Sequence, residues 1–142
     1  MNSIEVKQHD MMDCGAACIS SIGNFHKIFV PITKIRQWSE TDKNGANVMG
    51  LIDALDKMGL HAKGVKASIQ AIDKNPLTSI AHMVYENRLQ NFFVIYQVKK
   101  KSLTNMDPSL GHLTQLSLKE FETNWSSVLL LIAKKIISLL QI

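Results

Sequence analysis

Cysteine is scarce in this 142-residue chain: only Cys14 and Cys18 occur. Their spacing of four puts both on one face of a helix, where Cα geometry rarely suits a disulfide. A framework of disulfide staples is therefore excluded, and a reducing, cytosolic setting is expected. Zinc is not indicated either, because His9, His26, His61, His82 and His112 form no paired ligand motif with the two thiols. The first residues, Met1 to Gly15, contain no apolar core of the kind that a secretory signal needs.

Long hydrophobic runs are also missing. Val128 to Ile142 is strongly apolar but is broken by Lys134-Lys135, and a bilayer span needs about 18 or more apolar residues. This stretch cannot cross a membrane as it stands. Ile136, Ile137, Leu139 and Leu140 fit either a terminal amphipathic helix packed on the domain or the approach to a larger membrane protein. The net charge of +4 comes from scattered lysines, apart from Lys99-Lys100-Lys101 and Lys134-Lys135. With no basic-aromatic patch beside them, nucleic acid is not expected as a partner. The chain also lacks a GxxxxGK phosphate loop, an internal repeat and any low-complexity segment.

What is present is an ordinary globular composition, 46% hydrophobic and 20% charged, long enough for one domain with a single substantial core. Asp13 is placed to cap a helix from Cys14 to about Phe25, with Ala17, Cys18, Ile22 and Phe25 on one stripe. A short helix is predicted after Pro31, with Ile32, Ile35 and Trp38 inward. Asn47 can cap a third helix carrying Val48, Leu51, Ile52, Leu55 and Met58, ended by Gly59. The period then changes, and 60–67, 78–84, 92–99, 102–106 and 127–132 read as strands. Glu86-Asn87-Arg88 and Lys99–Ser102 read as turns, and Ser117 with Glu120 as the capping box of a short helix. Helices followed by antiparallel strands give an α+β layout of two packed halves, with any site between them drawing on both.

Cys14 is the residue with the clearest chemical promise. At the first turn of an apolar helix, backbone N–H groups and the helix dipole favour a thiolate. Gly15-Ala16-Ala17 leave room for a substrate backbone. A buried structural cysteine is the other reading of Cys14. Cys18, one turn deeper, reads as core.

The segment Gln8 to Cys18, QHDMMDCGAAC, resembles the nucleophile motif of the bacteriocin-processing peptidases, the cytosolic N-terminal domains of ABC exporters that cut double-glycine leader peptides. The resemblance continues through Thr41 to Ala46 and the Val48–Gly59 helix. It includes Ser79 to Val84, the strand opening Asn91-Phe92-Phe93-Val94-Ile95, Asp107-Pro108, Leu116 to Phe121, and Trp125. It covers roughly residues 6–132.

The resemblance implies a papain-like cysteine peptidase fold, with residues 1–132 as the domain and residues 133–142 as an apolar linker toward a transmembrane region. It implies Cys14 as nucleophile, Gln8 as oxyanion donor and Asp107 as the residue that orients the base. The base itself departs from the pattern: the histidine position is Asn91, and asparagine can hydrogen-bond but cannot carry a proton at neutral pH. His82 matches a histidine that active members carry beside their catalytic one, and His9 and His112 are the other candidates to substitute.

Two functions follow. One is cleavage after a Gly-Gly pair with Cys14. The other is a degenerate domain that binds leader or cargo without cutting. In both, the leader binds as an amphipathic helix in an apolar groove. The implied partners are the leader peptide and the transmembrane and ATPase parts of a dimeric exporter, at the cytoplasmic face of the membrane. No cofactor is implied for this domain, since ATP and Mg would belong to a nucleotide-binding domain elsewhere.

Overall fold

The computed structural model describes residues 3–86 and 89–135. Three helices come first: α1 (Cys14–Phe25), α2 (Ile32–Trp38) and α3 (Val48–Lys57). They precede a six-stranded antiparallel sheet of β1 (Leu60–Lys66), β2 (Ser79–Met83), β3 (Asn91–Val98), β4 (Ser102–Asp107), β5 (His112–Ser117) and β6 (Trp125–Lys134). The order across the sheet is β1-β6-β2-β3-β4-β5, so β1 and β5 are its edges and β2 and β3, flanked by β6 and β4, lie innermost. The short helix α4 (Leu118–Asn124) precedes β6. This is the α+β layout that the change of period implies.

The inner strands are buried on both faces, which explains their continuous apolar runs. On β3, Phe92 and Val94 join Cys14, Ile19, Leu51 and Leu55 in a cluster beneath the helices. Phe93 and Ile95 point the other way and pack with Phe121, Trp125 and Leu129. Phe121 is fully buried and stacks on Trp125 with ring centroids 4.8 Å apart.

Several local expectations hold. Asn47 Oδ1 accepts from Gly50 N at 2.8 Å and caps α3. Ser117 and Glu120 form the reciprocal capping box, and Lys99 N donates to Ser102 O at 2.7 Å in the second turn. Other expectations need correction. Asp13 makes no capping hydrogen bond. The chain enters α1 through a 3-10 turn, Met11–Asp13, capped by Asp10. Asp13 instead lies fully buried, 2.9 Å from Arg36 Nε.

Phe25, expected on the buried stripe, is 50% exposed. It ends α1 with its ring against Tyr96 of β3. Strand β5 was not expected from the sequence. Its edge position leaves it largely exposed, with no apolar face to write a period. A 3-10 segment, Ile69–Lys74, was likewise unforeseen. Strand β6 runs past both ends of the expected 127–132. The expectations for residues 136–142, and for Asn87 and Arg88 in the first turn, lie outside the described residues. No described helix is long and apolar enough to cross a membrane.

Candidate active site

A cleft of about 330 Å³ opens between the start of α1 and the sheet. Gln8, Cys14, Asn91 and Asp107, all singled out in the sequence, line it together. They come from four places in the chain: the N-terminal segment, the first turn of α1, the first residue of β3 and the last residue of β4.

Local structure explains why each arrives there. Gly15 makes room for α3 beside α1, since a Cβ on it would sit 2.9 Å from Leu51 Cδ2, whereas Phe92 Cδ2 of β3 would be at an ordinary 3.5 Å. Cys14, the preceding residue, lies against the backbone of β3. The Cys14 thiol donates to Phe92 O at 2.8 Å, and Phe92 N–H donates to Cys14 Sγ at 3.2 Å. Asn91, one residue before that contact, is 8% exposed, and its Nδ2 donates to Leu89 O at 2.8 Å.

Gln8 N donates to Pro108 O at 2.9 Å. The segment carrying Gln8 is thus tied to the turn that follows Asp107. Asp107 Oδ1 accepts from Ser109 N at 2.9 Å and from Ser109 Oγ at 2.7 Å, which fixes the carboxylate in the lining of the cleft. This Asx-type arrangement is legible as Asp-Pro-Ser, though its catalytic context is not.

The two thiols differ in their electrostatics. The Cys18 thiol behind Cys14 stabilises its charged form. With the Phe92 N–H it holds Cys14 below the ordinary thiol value, against burial and the negative charge of Asp107. Burial drives Cys18 well above that value, with Cys14 and Asp107 acting in the same direction. Cys18 is core, as its place on the helix implies, and both cysteines are free.

Among the described residues lining the cleft there is no histidine. His82 faces Phe92 across the β2–β3 ladder, but its ring nitrogens are engaged by Ser126 Oγ at 2.8 Å and Gln90 Oε1 at 3.2 Å. Burial also lowers its pKa, only partly opposed by Gln90. It bridges strands rather than reaching the thiol. His9 and His112 are exposed. His112 Nδ1 is 3.4 Å from Leu113 O. The structure therefore brings four predicted residues together and none of the three substitutes. Among the described residues, no group of three His, Cys, Asp or Glu side chains gathers as a metal site.

Tyr85, also in the cleft lining, was not foreseen, since nothing in its neighbours marks a loop tyrosine as functional. Tyr85, Phe93 and Asp107 also line a second groove of about 490 Å³, with Met83, Leu110 and Leu116 among its apolar walls.

Comparison with known proteins bears on fold and family. The lactococcin-G-processing and transport ATP-binding protein LagD of Lactococcus lactis subsp. lactis is 32% identical over 127 residues, 88% of this chain and 18% of that protein. The pediocin PA-1 transport/processing ATP-binding protein PedD of Pediococcus acidilactici is 30% identical, over 89% of this chain and 18% of that protein. The chain thus spans less than a fifth of the length of these relatives.

The crystal structure of the peptidase domain of Streptococcus ComA, a bifunctional ABC transporter of a quorum-sensing pathway, superposes with a TM-score of 0.86. Identity is 27%, over 92% of this chain and 97% of that one. A double glycine motif protease from an AMS/PCAT transporter, solved with its leader peptide, shares the fold with a TM-score of 0.84. Identity there is 23%, over 92% of this chain and 90% of that one. Residues 3–136, which contain every element and cleft residue described above, match the Peptidase C39 family, and this chain belongs to that family.

Proposed function

We propose that this domain captures a double-glycine leader peptide for an ABC exporter, and that its hydrolytic step is held back by Asn91. The observation that carries this reading is the cleft itself. Gln8, Cys14 and Asp107 converge in it, Asn91 stands among them, and no histidine is among the described residues that line it.

Cleavage of an amide by a thiol requires a proton to move twice. The Cys14 sulfur must lose its proton to attack the carbonyl carbon. As the C–S bond forms and the C–N bond breaks, the departing amine must gain one. Gln8 can donate its side-chain amide to the oxyanion, a contribution of roughly 10²–10³ in comparable sites. The Cys18 thiol and the Phe92 N–H ease the ionisation of Cys14. At the position expected to deliver the second proton stands Asn91, whose amide neither takes up nor releases one at neutral pH. Binding and positioning survive that loss, whereas fast turnover does not.

The groove beside the cleft accepts the leader. Met83, Phe93, Leu110 and Leu116 give it an apolar strip beside polar side chains such as Asn105, Gln115 and Glu120, suited to an amphipathic helix. The small residues at the end of the leader reach Cys14. The leader-bound relative among the solved structures and the processing and transport relatives support this assignment. In the full protein the captured cargo passes to transmembrane and ATPase parts at the cytoplasmic face of the membrane. The exporter is a dimer, and ATP and Mg are held outside this domain.

Leader binding by the parent protein, measured by fluorescence anisotropy beside its cleavage rate and that of an Asn91→His variant, tests this reading. Binding without appreciable cleavage by the parent, and cleavage by the variant, is the expected result. Cleavage by the parent at the variant's rate would make the domain an active peptidase with an unconventional proton carrier.

A further inference from the structure

The catalytic cleft and the adjoining groove are separate cavities of about 330 Å³ and about 490 Å³ that share three residues, Tyr85, Phe93 and Asp107. Two of these lie within the sheet. Phe93 is 2% exposed on β3 and Asp107 ends β4, so they form the floor common to both. Tyr85 differs. It comes from the loop after β2, is 40% exposed, and lines both spaces.

We propose that Tyr85 is a specificity-determining residue of this site: its ring forms the ridge between groove and cleft, and selects peptides that carry no side chain where the chain crosses it. This rests on the leader reading given above. A peptide that fills the groove and also presents a carbonyl to Cys14 must pass the ring immediately before the scissile bond. Its backbone crosses over Phe93 and Asp107, so a Cβ at that point meets the phenol on one side or the floor on the other. Glycine removes the conflict.

The contribution is one of shape rather than charge. Burial, Asp107 and Cys14 push the phenol up to about 12, so it is neutral throughout the pH range in which the protein works. Asn91 does not enter this argument, and selectivity is therefore readable in binding alone, whether or not the domain cuts.

The test compares two labelled leader peptides, one ending in Gly-Gly and one in Ala-Ala, by anisotropy with the parent, Tyr85→Phe and Tyr85→Ala. A pocket that rejects one added methyl discriminates by about tenfold or more, and that preference for Gly-Gly is expected in the parent. Tyr85→Phe should keep it, because the ring is retained. Tyr85→Ala should lose most of it, through tighter binding of the Ala-Ala peptide rather than weaker binding of Gly-Gly. If Tyr85→Ala still prefers Gly-Gly as strongly as the parent, the ridge is elsewhere and the proposal is wrong while the leader reading stands. If the parent binds neither peptide, the leader reading fails and takes the ridge with it.

Discussion

In an Asn91→His variant an imidazole would stand at the first residue of β3, beside the Phe92 backbone that already holds Cys14 Sγ at 2.8 and 3.2 Å. The structure offers what such a ring needs. Asp107 lines the same cleft, its carboxylate fixed by two hydrogen bonds from Ser109, and the cleft volume of about 330 Å³ leaves room for the larger side chain. Positioned general acid–base catalysis contributes roughly 10²–10⁴-fold. The variant should therefore cleave a double-glycine peptide roughly 10²–10⁴ times faster than the parent, to which the proposed function leaves only oxyanion stabilisation and binding. Single-turnover cleavage followed by mass spectrometry gives the rates, and iodoacetamide labelling of Cys14 in both proteins checks that the thiol stays accessible. A parent rate within about tenfold of the variant's would refute the argument that proton transfer is missing. A variant that labels normally yet gains nothing would refute the assignment of position 91 to the base.

The thiol-labelling rate of the parent should rise with a midpoint below that of an ordinary cysteine, because Cys18 and the Phe92 N–H stabilise the Cys14 thiolate. Cys18, fully buried and shifted upward, should stay unlabelled until the protein unfolds, and equal labelling of the two in the native state would contradict this assignment. Arg36→Ala should cost roughly 3 kcal/mol in urea unfolding, the low end for breaking a buried pair. Arg36 is itself 40% exposed and Asp13 only 1%, and neither Asp13 oxygen has a hydrogen bond to fall back on. A loss below about 1 kcal/mol, the size of a surface pair, would show that Asp13 is stabilised by other means.

Burial holds His82 below its usual 6.5, so the folded state binds fewer protons than the unfolded one. The stability this supplies is complete above about pH 6.5 and is lost as pH falls through the folded value. The urea midpoint should be flat above about pH 7 and decline toward pH 5, with a shallower decline in His82→Gln. An identical slope in the variant would remove His82 from the account.

The sequence was enough to place this chain's helices, because their apolar residues recur at helical spacing and Asn47 and Ser117 announce their caps. It was enough for the inner strands too, since burial on both faces writes a continuous apolar run. Strand β5 left no such mark: an exposed edge strand is held by its pairing with β4, and pairing is not written in one strand alone. Asp13 shows the same limit. A helix-start aspartate reads as a cap from its neighbours, and only the arrival of Arg36 from α2 turns it into a buried ion pair.

Cys14, Gln8, Asp107 and the asparagine at position 91 could be named from their motifs, yet motifs carry no distances. The packing of Leu51 against Gly15, the clasp of Cys14 Sγ by Phe92, the turning of His82 toward Ser126 and Gln90, and the place of Tyr85 in the lining of two cavities were decided by tertiary packing. Each depends on groups far apart in the chain meeting across the sheet, a constraint that no local run of residues contains.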